Sequence, residues 1–230
     1  MGSGAACVGR DSSTGGIKIG WLTEKDAASE LGRAAVTDVQ FELKGRALPK
    51  DHGHALFLEL ARLLPWIADE ETLGIHPVHG ADTGQGELVL SRRTRLVIRT
   101  PIDRVEEVME LTGKTMQIAG ETLHIGAAKT RPLTLHTPLY AHCVTTGSDD
   151  ETVFAADIIR LLDAMHIDTR FICGRRQSIT TANGVVSGYS LMLHGLPVEH
   201  AVQIQVSGLG GNRKLGCGIF IPHKSINALT

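Results

Sequence analysis

Between Ser207 and Pro222 the chain reads S-G-L-G-G-N-R-K-L-G-C-G-I-F-I-P. Two glycine pairs, Gly208/Gly210 and Gly216/Gly218, bracket an interval that carries Gly211, Arg213 and Lys214. Residues without a Cβ take positive φ readily and let backbone approach closely. The run must therefore be a tight loop, and the apolar stretch Ile219 to Ile221 behind it reads as a buried strand. Free N–H groups beside two cations suit a phosphate chain. The plain structural alternative is a glycine-rich hairpin loop. No window supplies the G-x-x-x-x-G-K-[ST] loop of nucleotide hydrolases, and Arg213 stands where a dinucleotide fingerprint would need its third glycine.

A length of 230 residues suits one large domain or two small ones. Aromatic residues make up only 4%, so Val, Ile, Leu and Ala must fill the core. The formal net charge of −2 gives no global field for a polyanion. The cations are clustered instead, as Arg92, Arg93, Arg95 and Arg99, as Arg175 and Arg176, and as Arg213 and Lys214. Cys7, Cys143, Cys173 and Cys217 form no C-x-x-C pair, which argues against zinc knuckles and dithiol redox motifs. Free buried thiols fit a reducing cytoplasm, the expected location. No apolar run approaches the roughly 20 residues of a membrane helix, and no signal peptide is visible.

Residues 1–16 are rich in Gly and Ser without apolar period and read as flexible. Ile17 to Leu22 suits a short strand, and Asp26 to Leu31 one or two helical turns. From Val36 the chain alternates as a half-buried strand does. Asp51 is placed to cap a helix whose stripe includes Leu56, Leu60 and Leu63. Gly74-Ile75-His76-Pro77 breaks the chain; Glu87 to Ser91 and Arg95 to Thr100 read as strands joined at Arg92-Arg93-Thr94. Pro101 opens a second helix to Leu111, and Lys114 to Ile125 reads as strands turning at Ala119-Gly120. The order is that of a split β-α-β unit. It recurs as strand 139–145, helix 149–165, strands 168–174 and 188–196 linked by the polar segment 175–187, helix 197–206, the glycine loop and the last strand. The expected fold is α+β, with tandem ferredoxin-like β-α-β-β-α-β domains. The expected organisation is an extension at 1–34, one domain at 35–130, and a second at 131–230 that carries the loop 208–218.

Two such units with G-h-G-x5-G-h-G (h apolar) before the last strand resemble the RAMP superfamily of CRISPR proteins. Within it the chain resembles the repeat-processing endoribonucleases of the Myxococcus-type branch. The matching segments include L-K-G-R at 43–46, L-P-K-D-H-G at 48–53, G-I-H-P at 74–77, S-R-R-T-R-L at 91–96, L-Y-A-H at 139–142, R-K-L-G-C-G at 213–218 and P-H-K-S at 222–225.

The resemblance implies metal-independent cleavage of CRISPR repeat RNA, with no cofactor and no metal ligands. The 2′-OH attacks the adjacent phosphate and leaves 2′,3′-cyclic phosphate and 5′-OH ends. Such chemistry needs a base, an acid and cations around phosphorus, roles for which His, Arg and Lys are suited. The family's usual position for a catalytic histidine, at the start of the first helix, falls here on His52, with His54 second. An exposed His52 is expected, with capping of the helix as its structural alternative. His76, His79, His142, His223 and the Tyr140 hydroxyl are further candidates. Gly208, Gly210, Gly211, Arg213, Lys214 and Gly216 would hold RNA phosphates, and Arg92, Arg93, Arg175 and Arg176 would line the groove. The expected partners are the pre-guide transcript and mature guide RNA, with other subunits of an interference complex as further candidates. The competing reading is a RAMP-type RNA-binding subunit without cleavage. A phosphoesterase with two H-x-[ST] motifs finds only His223-Lys224-Ser225.

Overall fold

The computed structural model describes residues 35–135 and 137–223. The segments 17–22 and 26–31 read above as strand and helix lie outside them, as do Lys224 and Ser225.

Strand β1 (Val36–Lys44) buries Val39, Phe41 and Leu43 on one face, the alternation its sequence shows. A short strand β2 (Ala47–Pro49) leads to helix α1 (Gly53–Leu63), which lays Leu56 and Leu60 onto the sheet. Pro65 ends that helix in a single 3-10 turn, Pro65–Ala68. Three short strands follow: β3 (Gly74–Ile75), β4 (Ala81–Asp82) and β5 (Glu87–Val89). After β6 (Arg95–Pro101) comes a 3-10 turn and the five-residue helix α2 (Val105–Met109), shorter than the sequence suggests. β7 (Thr115–Ile118) and β8 (Glu121–Arg131) complete an antiparallel sheet in the order β3-β6-β1-β8-β7.

The second strand of this unit is therefore Gly74–Ile75, not Glu87 to Ser91. β5 belongs to a separate three-stranded sheet, β2-β5-β4. A two-residue strand carries no period, whereas Glu-Leu-Val alternates visibly and still pairs elsewhere.

The second unit runs β9 (Leu139–Val144), α3 (Glu151–Ala164), β10 (Arg170–Thr181), β11 (Gly184–His194), α4 (Val198–Ser207) and β12 (Ile221–Pro222). Asp150 caps α3, accepting from Val153 N–H at 2.9 Å. The sheet order β10-β11-β9-β12 is that of a ferredoxin-like unit, as in the first lobe. The polar segment 175–187 is strand on both sides of a turn at Ala182-Asn183. It escaped the alternation test because both faces beyond the lobe are largely wet.

Each lobe has its own core, around Phe41, Leu60 and Ile98 in the first and around Phe154, Leu191 and Phe220 in the second. A small apolar cluster joins them: Val36 from β1, Leu133 from the connection and Val202 from α4. Beneath the seam lies a buried ion pair, Asp38 with Arg99. No helix among the described residues is long and apolar enough to cross a membrane.

Candidate nucleic-acid cleavage site

The seam between the lobes opens as a cleft of about 340 Å³. Lys50, Asp51 and His52 enter it from the start of α1, His142 and Cys143 from β9, Arg176 and Ser178 from β10, and Leu215 and Gly216 from the glycine loop. Backbone contact between the lobes is close. A Cβ on Gly53 would stand 2.5 Å from the Leu215 carbonyl oxygen, and one on Gly216 would stand 3.0 Å from Pro77 Cγ. Asp51 does not cap α1. Its Oδ2 accepts from Thr180 N–H at 2.9 Å and ties the long β10–β11 hairpin to the first lobe.

His52 is only 4% exposed, in contrast to the exposure expected of a helix start. Its Nδ1 lies 2.9 Å from the Pro49 carbonyl oxygen, and its Nε2 accepts from Val78 N–H at 3.0 Å. These partners fix the neutral tautomer with the proton on Nδ1. Burial lowers its pKa, against the opposing backbone hydrogen bonds of Pro49 and Lys50. The ring thus staples the segment before α1 to the segment after β3. His54 is half-buried on α1 and is not part of the cleft lining.

The glycine loop spends most of its polar groups on the protein. The amides of Gly208, Gly211, Leu215, Gly216, Cys217 and Gly218 donate to Ile204, Thr145, Asn212, Arg213, Asn212 and Cys143 carbonyls. Gly208 and Gly210 both have φ of +71°, and a Cβ on Gly210 would stand 2.2 Å from the Thr145 carbonyl oxygen. Arg213 turns inward, donating from Nη2 to the carbonyls of Thr72 at 3.2 Å and Val206 at 3.1 Å. Burial, with the nearby Arg99 charge, lowers its pKa to about 10. Lys214 Nζ donates to the Ala68 carbonyl. The two cations that the sequence places on an open loop are thus anchored across the seam. Gly210, Gly211 and Asn212 form its exposed tip.

Arg92 and Arg93 are exposed on a turn held by Ser91 and Thr94, with Thr94 N–H donating to Ser91 O at 3.0 Å. Arg175 and Arg176 are exposed where β10 bulges against β11 between Cys173 and Arg176. A bulge of this kind re-aims side chains, and Arg176 meets both the cleft and Asp149 at 2.9 Å. The loop tip and the two arginine pairs therefore lie on separate elements.

A second groove adjoins the cleft, lined by Gln40, His79, Arg93, Arg95, Arg131 and Pro222 among others. His79 and His142 stand between the two openings with ring centroids 6.2 Å apart, edge to face. Both side chains are exposed at the cleft walls, yet partial desolvation of the rings there lowers the pKa of each; for His142 the charges of His79, His52 and Lys50 add to it. Tyr140 packs on His223 with centroids 5.5 Å apart. Sequence reasoning met these rings one at a time, and their grouping depends on the docking of the lobes. Among the described residues no three His, Cys, Asp or Glu side chains gather as metal ligands would.

A family model described as Cas6 Crispr matches residues 37–225. A Myxococcus xanthus (strain DK1622) protein named CRISPR-associated endonuclease Cas6 is 34% identical over 186 residues, covering 80% of each chain. The product of a Cas6-related gene from Pyrococcus furiosus shares the fold with a TM-score of 0.60 at 13% identity, over 82% of this chain and 99% of that one. A RAMP protein described as binding different RNA substrates gives 0.57 at 13% identity, over 80% and 98%. At those identities the two solved structures speak for the fold alone.

Proposed function

The chain belongs to the Cas6 family of CRISPR-associated proteins, and from that premise we propose that it is an endoribonuclease that cuts CRISPR repeat RNA in the cleft between its lobes. The observation that carries this reading is the meeting, in one inter-lobe opening, of His142, Lys50 and Arg176 from three different elements. Imidazole and fixed cations are the groups that transesterification of RNA requires.

The cleavage is metal-independent. The 2′-OH loses its proton to an imidazole and attacks the adjacent phosphorus. The P–O5′ bond breaks, O5′ takes up a proton, and the products carry 2′,3′-cyclic phosphate and 5′-OH ends. Lys50 and Arg176 neutralise charge on the phosphoryl oxygens. The exposed turn at Arg92 and Arg93, the bulge at Arg175 and Arg176, and the loop tip Gly210-Gly211 hold the RNA backbone, mainly by charge.

Labelled repeat RNA incubated with the protein and excess EDTA tests this. The expected result is undiminished cleavage, with a downstream product that polynucleotide kinase labels without prior phosphatase treatment. Cleavage that stops with EDTA, or 5′-phosphate ends, overturns the mechanism. Tight binding with no cutting in any buffer supports a non-catalytic RNA-binding subunit instead.

A further inference from the structure

His142 and His79 approach one another across the seam, outside the helix start where His52 lies. On β9 the side chains of Leu139, Ala141 and Cys143 go into the core, so Tyr140 and His142 share the opposite face. His142 is exposed to the cleft, and His79, on the connection between β3 and β4, is exposed to the adjoining arginine-lined groove. His52 offers no free nitrogen, since both are held by backbone.

Resting on the endoribonuclease reading, we propose that His142 and His79 form the acid–base pair of the reaction, and that His52 is a positioning residue. With ring centroids 6.2 Å apart, both imidazoles reach one phosphodiester. His142 takes the proton of the 2′-OH while O2′ bonds to phosphorus. His79 gives its proton to O5′ as the P–O5′ bond breaks. One proton moves from O2′ to O5′ overall, and nothing is oxidised or reduced.

The surroundings favour a single shared proton. Two imidazolium ions this close repel, so the pair resists double protonation. On the cleft side stand His52, Lys50 paired with Asp82 at 2.7 Å and Arg176 paired with Asp149 at 2.9 Å, while Asp51 is occupied by Thr180 N–H. Arg93 and Arg95 line the groove together with His79, and Tyr140, two residues before His142 on β9, packs on His223. The cleft-side groups keep His142 neutral as a base. The RNA phosphate, once bound, favours retention of one proton on His79.

The test is single-turnover cleavage of repeat RNA beside equilibrium RNA binding, with His142→Ala, His79→Ala and His52→Ala in the full chain. His142→Ala and His79→Ala should each cut about 100-fold more slowly or worse, the usual range for a lost proton-transfer group. RNA affinity should stay within about 3-fold of wild type, as for an interaction made in the transition state. Both side chains are exposed, so neither truncation opens the core. RNA with a bridging 5′-sulfur at the scissile bond has a leaving group that needs no proton. It should restore His79→Ala to within about 10-fold of wild type and leave His142→Ala slow. Cutting by either variant within about 3-fold of wild type overturns the pairing, and so does the sulfur substrate rescuing His142→Ala instead. Loss of cutting confined to His52→Ala at unchanged thermal stability also overturns it. A wild-type protein that binds repeat RNA but never cuts it would instead refute the endoribonuclease reading itself.

Discussion

Arg99 stands directly opposite Asp38 in the β6–β1 ladder and grips both oxygens of its carboxylate, Nε to Oδ1 at 2.8 Å and Nη2 to Oδ2 at 3.1 Å. Its remaining amino group donates to the carbonyls of Gln205 on α4 and Phe220 before β12, each at 2.9 Å. One guanidinium, 1% exposed, thereby joins the sheet of one lobe to two elements of the other. The arrangement ties the two lobes together through directional bonds in a buried setting.

Asp38→Asn should destabilise the protein by about 3–5 kcal/mol, since it strands a buried cation. Urea unfolding at neutral pH, with unchanged m-value, measures it. Burial tends to raise the Asp38 pKa, but His76 and Arg99 outweigh it and hold the carboxyl well below the usual range. The folded state therefore gains from this ionisation above about pH 4, and loses that gain as the pH falls further, in wild type but not in Asp38→Asn.

Two histidines set a second pH dependence. Burial holds His52 and His76 below the ordinary imidazole pKa. The unfolded chain then binds protons first, so stability is complete above about pH 6.5 and declines as the pH falls below it. The difference in urea midpoint between about pH 7.5 and about pH 5.5 should shrink in His76→Gln and in His52→Gln.

Glycine substitutions should separate close packing from backbone freedom. Gly210→Ala meets the Thr145 carbonyl as well as a φ of +71°, and should cost at least about 2 kcal/mol. Gly113→Ala has a φ of +82° with open space around it and should cost about 1 kcal/mol. Thermal melts of the two variants would contradict the account if their losses matched.

RNA affinity should respond to salt through the exposed arginines. Replacing Arg92 and Arg93 together with Ala should weaken binding to all sequences alike. It should also reduce the slope of log K against log salt by about 1.4, or about 0.7 for each lost phosphate contact on a single strand. Affinities measured over a range of salt concentrations decide this.

Long elements were legible in the sequence because their periods are physical. The alternation from Val36 and the stripe at Leu56 and Leu60 each reflect a local rule, whereas the cap expected at Asp51 gave way to a distant partner, Thr180 N–H. Gly74–Ile75 was not legible, since two residues carry no period, and its place beside β6 depends on partners far along the chain. The site was legible only in part. Arg92, Arg93, Arg175 and Arg176 are exposed, as charge clusters usually are. His52 lines the cleft, but its burial follows from Pro49 and Val78 closing around it. Arg213 points inward because carbonyls of Thr72 and Val206 await it there. Neither pairing leaves a mark in local sequence.

The bare backbone at Gly53 and Gly216 sets the gauge of this molecule. Where Gly53 faces Leu215 O and Gly216 faces Pro77, a single methyl would act as a shim between two jaws. A larger residue at either position should wedge the halves apart and deform the opening they share.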